Sequence, residues 1–245
     1  MRKIGVLILF MAASLVGYSQ DSAKASQLKQ LTAQLKNRAN DHFMIQYGAD
    51  FWNVNADSAR PSGFSRHFNF YFMLDKPFKK NPHFSLGYGL GLTTSNMFFD
   101  DKQIDLKANT ARLPFTNVAN TNHFEKYKLT TIFAEIPLEL RYASNPLRPD
   151  KGFKAAIGVK IGTILKAYTK GKNLVDANDR SVFGNRYIQK EQDRKFINGT
   201  SFSLTARAGV GIFSLHASYR LNTFLREGVG PDIRPYSIGL MISGL

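Results

Sequence analysis

The chain contains no cysteine. That excludes a disulfide framework, thiolate-bound zinc, iron–sulfur clusters and a thiol nucleophile. Acidic residues are scarce, with 18 Asp and Glu against 33 Lys and Arg and a formal net charge of +15. Long hydrophobic runs are also scarce. Beyond the first 16 residues they break off early, residues 70–74 stopping after five, so no helix of about 20 apolar residues that could span a bilayer is encoded there. The 245 residues are rich in rings instead, with 20 Phe and 10 Tyr. At 43% apolar and 21% charged the composition is that of a folded protein.

Residues 1–19 read as a secretory signal. Arg2 and Lys3 form a basic n-region, residues 4–16 an apolar h-region, and Gly17-Tyr18-Ser19 places small residues at −3 and −1 of a cleavage site before Gln20. Residues 20–41 are polar. Leu28, Leu31 and Leu35 fall at helical spacing, which predicts a thin-striped, short helical leader on the periplasmic side.

From His42 onward the period changes from helical to two. Eight windows alternate: 42–53, 64–75, 83–94, 130–142, 153–166, 202–212, 213–223 and 236–244. One face is bulky and apolar, as in Phe68, Phe70, Phe72 and Leu74, or in Ile132, Ala134, Ile136, Leu138 and Leu140. The other is small or charged, as in Gly87, Gly89 and Gly91, or in Glu135, Glu139 and Arg141. A soluble sandwich also alternates, but it turns its bulky apolar face inward and its polar face to water. Here the strands are long enough to cross a bilayer at a tilt, which takes about 9–11 residues. Small residues also suit the cramped interior of an eight-stranded barrel. The links alternate in length. Those at about residues 54–63, 95–129, 167–201 and 224–235 are long, and those at 76–82, 143–152 and near Ile212–Phe213 are short. Long outer loops and short periplasmic turns are the habit of outer-membrane barrels. The expected fold is therefore all-β, an eight-stranded antiparallel up-and-down transmembrane β-barrel over residues 42–245 with a short N-terminal helical leader.

Several segments carry a resemblance. Residues 68–74 (FNFYFML) with the Asp-Lys-Pro-Phe turn after them, 84–92 (FSLGYGLGL), 133–142 (FAEIPLELRY), 215–221 (LHASYRL) and the closing strand are similar to the PorT-like outer-membrane β-barrel family of Bacteroidetes. The resemblance covers about residues 42–245. It implies a barrel domain without shared catalytic residues, in the cell outer membrane.

The chemistry-bearing residues give few motifs. The Gly87-x-Gly89-x-Gly91 run lacks the helix that a phosphate loop needs and reads as lumen packing. His216 and Ser218 share a face, a spacing that some lipid A deacylases use, but parity turns both inward. His42, His67, His83 and His123 lie in separate elements and suggest no metal site. No cofactor or catalytic residue is expected. The candidate site is a lumen charge network of Glu135, Glu139, Arg141, Lys160, Arg207 and Arg220, joined by Lys154, Lys166, Asp50 and Arg66. It acts either as a salt-bridged plug, since eight strands leave little bore, or as a charged, narrow transport pore. The expected role is a non-enzymatic barrel with a plugged lumen, presenting the loops at about 95–129 and 167–201 for surface binding or serving the membrane structurally. The alternatives are the narrow pore and a lipid-modifying enzyme. The expected partners are outer-membrane lipid and lipopolysaccharide, which the basic 167–201 loop could meet, and an unidentified extracellular or envelope protein. Nucleic acid is excluded by export and by the scatter of the basic residues, and the chain is expected to be a monomer.

Overall fold

Period-two alternation produces strands wherever one face can be hidden and the other tolerated by its surroundings. The computed structural model describes residues 42–56 and 59–244, so the signal at 1–19 and the leader at 20–41 lie outside the described residues. Among the described residues eleven strands occur: β1 (Phe43–Val54), β2 (Arg66–Pro77), β3 (Phe84–Phe99), β4 (Lys102–Ile104), β5 (Phe115–Asn117), β6 (His123–Ala143), β7 (Phe153–Val175), β8 (Ile188–Gln192), β9 (Thr200–Val210), β10 (Phe213–Arg220) and β11 (Ile233–Ser243). Eight of them form one antiparallel ring in the order β1-β2-β3-β6-β7-β9-β10-β11. It closes where β11 pairs with β1, Tyr47 facing Leu240, and where β6 pairs with β7, Leu138 facing Val159. Each expected window became one of these strands.

The bulky face points outward on every ring strand. Ile136 is 57% exposed and Ile157 65%, and Phe68, Leu90, Leu215 and Leu240 are likewise exposed. Water does not tolerate an apolar girdle of this size around a monomer. A bilayer does, and a closed ring leaves it no unpaired strand edge within the girdle. We therefore expect the mature protein to migrate at different positions on SDS gels before and after boiling. Identical mobility with helical circular dichroism would contradict the ring.

Three findings depart from the sequence reading. First, the long links are shorter than expected, because the strands continue into them. β6 has 21 residues and β7 has 23, about twice what a crossing needs. Their upper halves rise past the girdle, where β8 adds to β7 and the β4–β5 hairpin lies alongside. Second, a bulge sits between β6 and β7: Ile132 faces Lys166 while Phe133 faces Ile164, so Leu165 is the extra residue. The slip reverses parity above it. Lys166 leaves the lumen and Ala167 takes the inward position, fully buried. Third, Arg66 is exposed on the outer face with its guanidinium over Phe98, since its neighbours Ser65 and His67 are the inward pair. Lys166 and Arg66 thus do not belong to the lumen.

At the opposite end the turns are tight. β9 and β10 are joined by Gly211-Ile212 alone, and Gly211 sits at φ 64°, where a Cβ would be strained.

Candidate functional site

The inward face is small and polar, so the lumen fills with the few long side chains that the glycines leave room for. All six network residues are buried. Near the short-turn end, Glu139 of β6 is the hub. Its Oε2 accepts from Arg141 Nε at 2.9 Å, and from Arg207 Nε at 3.2 Å and Nη2 at 3.1 Å. Asp75 of β2 lies 3.8 Å from Arg141 on the other side. Gly87, beside Arg141 on β3, has no Cβ because one would collide with the guanidinium. Close by, Lys154 Nζ donates to Ser243 Oγ at 2.6 Å.

One layer up, Glu135 pairs with Lys160 of β7 at 3.0 Å. Tyr71 of β2 bridges them, its hydroxyl donating to Glu135 at 2.7 Å and accepting from Lys160 at 3.0 Å. Arg220 stands apart from the carboxylates. It donates to the Thr200 carbonyl at 2.7 Å and lies over the Phe133 and Phe224 rings. The structure therefore gathers five of the six candidates into two ion-pair groups and places the sixth above them.

A second polar chain crosses the barrel at mid-height. Ser95 donates to Asp50, whose other oxygen meets His67 Nδ1 at 2.8 Å, and His67 Nε2 meets His216 Nε2 at 3.1 Å. Two strands, β1 and β11, separate the two histidines, and what lets them touch is the pair of residues between them. Gly48 faces His67, Gly239 faces His216, and the glycines face each other. A Cβ on Gly48 would come within 2.9 Å of His67, and one on Gly239 within 2.8 Å of His216. Sequence parity turns Asp50, His67 and His216 inward, but their meeting depends on strand register, which parity does not contain. Tyr71 and Asp75 were also missed as partners; both lie on the inward parity of β2. Among the described residues no group of three or more His, Asp or Glu is arranged to hold a metal ion.

Over these layers lies a polar cavity of about 90 Å³, lined by Asp50, His67, Glu135, Lys160 and Arg220 and touched by Trp52 and Phe224. It has room for a few water molecules. Above it the loop-rich end holds an apolar cluster. Trp52, Phe99, Tyr127, Leu129 and Ala167 come from the walls. Ala59, Ile104, Leu106, Leu113, Phe196, Ile197, Phe224 and Leu225 come from all four long links or their short strands. The links are stitched together by Leu113 N to Val229 O at 2.7 Å, Asn198 N to Phe224 O at 2.8 Å and Arg226 N to Phe196 O at 2.9 Å. Tyr127 hydrogen-bonds the backbone of Ile104 through both donor and acceptor, and burial pushes its phenol above the usual tyrosine range.

Residues 32–226 match the family described as the outer membrane protein beta-barrel domain. Among solved structures, Ail, the attachment invasion locus protein of Yersinia pestis, in complex with the heparin analogue sucrose octasulfate, aligns at 12% identity and a TM-score of 0.31, over 82% of this chain and 94% of that one. Ail without that analogue aligns at 11% and 0.30 over the same shares. A mutant porin of Rh. blastica aligns at 8% and 0.21, over 82% of this chain and 99% of that one. No protein in the curated set matches.

Proposed function

The chain belongs to the family of the outer membrane protein beta-barrel domain and resides in the outer membrane, and from that premise we propose a non-enzymatic barrel that is closed to solutes and works through its outer surface. One observation carries this reading: the lumen is occupied layer by layer by hydrogen-bonded side chains and is roofed by the apolar cluster from the four links. A transport route would need a continuous wet path, and charges along it would face water rather than each other. The links of the loop-rich end serve first as a roof and then as a presenting surface. Within the family, the segment FAEIPLELRY at residues 133–142 supports a PorT-like, Bacteroidetes assignment. Residues 1–19 act as the export signal, and the mature chain works as a monomer surrounded by lipid and lipopolysaccharide. An envelope or extracellular protein partner would meet the roof.

In orientation, the short turns face the periplasm and the roof faces outward, because long links pass to the outside while short turns stay behind. The test is electrical. Purified protein in planar bilayers should give no stable single-channel conductance in molar salt. A reproducible step would overturn the closed-lumen reading and favour the narrow pore. Unchanged lipid A, by mass spectrometry of cells with and without the protein, is expected from the non-enzymatic reading, and a modified product would refute it.

A further inference from the structure

Just beyond the girdle, on the outer face of the extended sheet, seven cations gather on β2, β6, β7 and β8: Arg66, Lys126, Lys128, Lys166, Lys170, Lys172 and Lys190. Strand register sets them in rows. Lys128 faces Lys170, and Lys170 faces Lys190, so three ammonium groups share one row; Lys126 faces Lys172 in the next. Two rings lie between them. Phe98 has Arg66 at 5.1 Å and Lys128 at 5.6 Å, and Tyr168 has Lys190 at 4.0 Å and Lys166 at 5.9 Å. Among the described residues none of the seven forms an ion pair with a carboxylate. The nearby acids are engaged elsewhere: Glu125 accepts from Asn173, and Glu191, opposite Thr169, faces the other side of the sheet and accepts from Gln189. Partial burial and its cationic neighbours, Lys170 first, hold the Lys128 ammonium below the usual lysine range.

Like charges directly opposite one another destabilise a sheet. Lys128 Nζ has a neutral partner, Asn96 Oδ1 at 2.7 Å, but three cations in one row, with no acid on their face among the described residues, leave a surface that an anion would complete. Its height identifies the anion. Lys166 faces Ile132, the last apolar outward residue of β6. Lys128 lies four residues beyond it, about 14 Å of strand at about 3.4 Å per residue, or roughly 10 Å of height at the usual tilt. The headgroup layer reaches roughly 5–8 Å beyond the hydrocarbon on each side, so the row stands at its outer side, within reach of a lysine stem. We propose that this face binds the phosphate groups of lipopolysaccharide in the outer leaflet, with the Lys128–Lys170–Lys190 row as its centre and the stacked Arg66 and Lys166 at its flanks. The anion comes from a lipid, because the row stands directly on the lipid-facing wall. The proposal rests on the outward orientation of the roof given above.

The test uses the mature full chain folded in zwitterionic micelles, titrated with lipid A bearing both phosphates and with lipid A from which both have been removed. Binding of the phosphorylated form should be at least tenfold tighter. Lys128→Gln, Lys170→Gln and Lys190→Gln together should abolish that preference, since each cation near an anionic headgroup counts severalfold. Lys79→Gln with Lys80→Gln, at the opposite end, should leave it intact. Without lipid A the triple variant should be at least as stable as the native chain, because it sheds repulsion. That result separates a binding role from a structural one. Equal affinity for the two lipids, an unimpaired triple variant, or loss of the preference in millimolar inorganic phosphate would overturn the proposal. Orientation is read independently: Ala177→Cys, in a chain with no other cysteine, should react with a membrane-impermeant maleimide on intact cells. Failure to label would overturn the orientation itself.

Discussion

Glu139→Gln should lower the unfolding free energy by about 3–5 kcal/mol, the cost of removing one partner from a buried ion pair. The size follows from where Glu139 stands. Its Oε2 takes three donors from two guanidiniums, and both arginines are buried. Arg141 retains Asp75 at 3.8 Å after the change, but among the described residues the side-chain hydrogen bonds of Arg207 both run to Glu139. Arg207 therefore bears most of the loss. Adding Arg207→Gln to Glu139→Gln should recover part of it, giving a coupling energy clearly above the roughly 0–1 kcal/mol of exposed pairs. Urea unfolding in lipid vesicles measures both. Glu125→Gln, in which an exposed residue loses a solvent-exposed hydrogen bond with Asn173, should stay within about 0.5 kcal/mol. A loss at Glu139 no larger than at Glu125 would mean a hydrated lumen.

Which residues face inward was legible because period two is a property of one strand and survives without knowledge of its neighbours. Glu135, Glu139, Arg141, Lys160, Arg207 and Arg220 could be placed on a common interior for that reason. Which of them touch is a property of register, and register lives between strands. Hence Tyr71 as the bridge of Glu135 and Lys160, and the meeting of His67 with His216 over two glycines, could not be read from one chain. The bulge at Leu165 shows the same limit within a strand. Residues 153–166 alternate without a visible fault, yet the extra residue sends Lys166 outward. Nor was the roof legible. Ile104, Leu106, Leu113, Phe196 and Leu225 lie in links with no sustained period, so nothing marks them as a core until the four links are brought over the same opening. The strand ends were underestimated for a related reason. Lys126, Lys128, Lys170 and Lys172 alternate with inward residues just as the girdle does, but with lysine in place of leucine, and a search for apolar faces stops where the lipid stops.

Outside, the same parity predicts a second large effect. Ile136 lies on β6 between Ala134 and Leu138 on the outward face, faces Ile161 of β7, and is 57% exposed to what is lipid in the membrane. Ile136→Arg should cost about 2–4 kcal/mol, the range for a cation near the midplane on the lipid side of a barrel. A guanidinium there cannot reach the headgroups without bending its stem along several apolar neighbours, and it has no carboxylate on the outer face to meet. Lys172→Ala, on the same wall above the girdle, should change stability by no more than about 0.5 kcal/mol. The comparison isolates depth, because both side chains point outward from the neighbouring strands β6 and β7 and differ in height. Folding yield into vesicles and urea midpoints would report it. The opposite ranking, with Ile136→Arg tolerated and Lys172→Ala damaging, would require that the girdle lie at the lysine rows and that the barrel sit shifted in the bilayer by more than ten ångströms, roughly the height that separates Ile132 from Lys128.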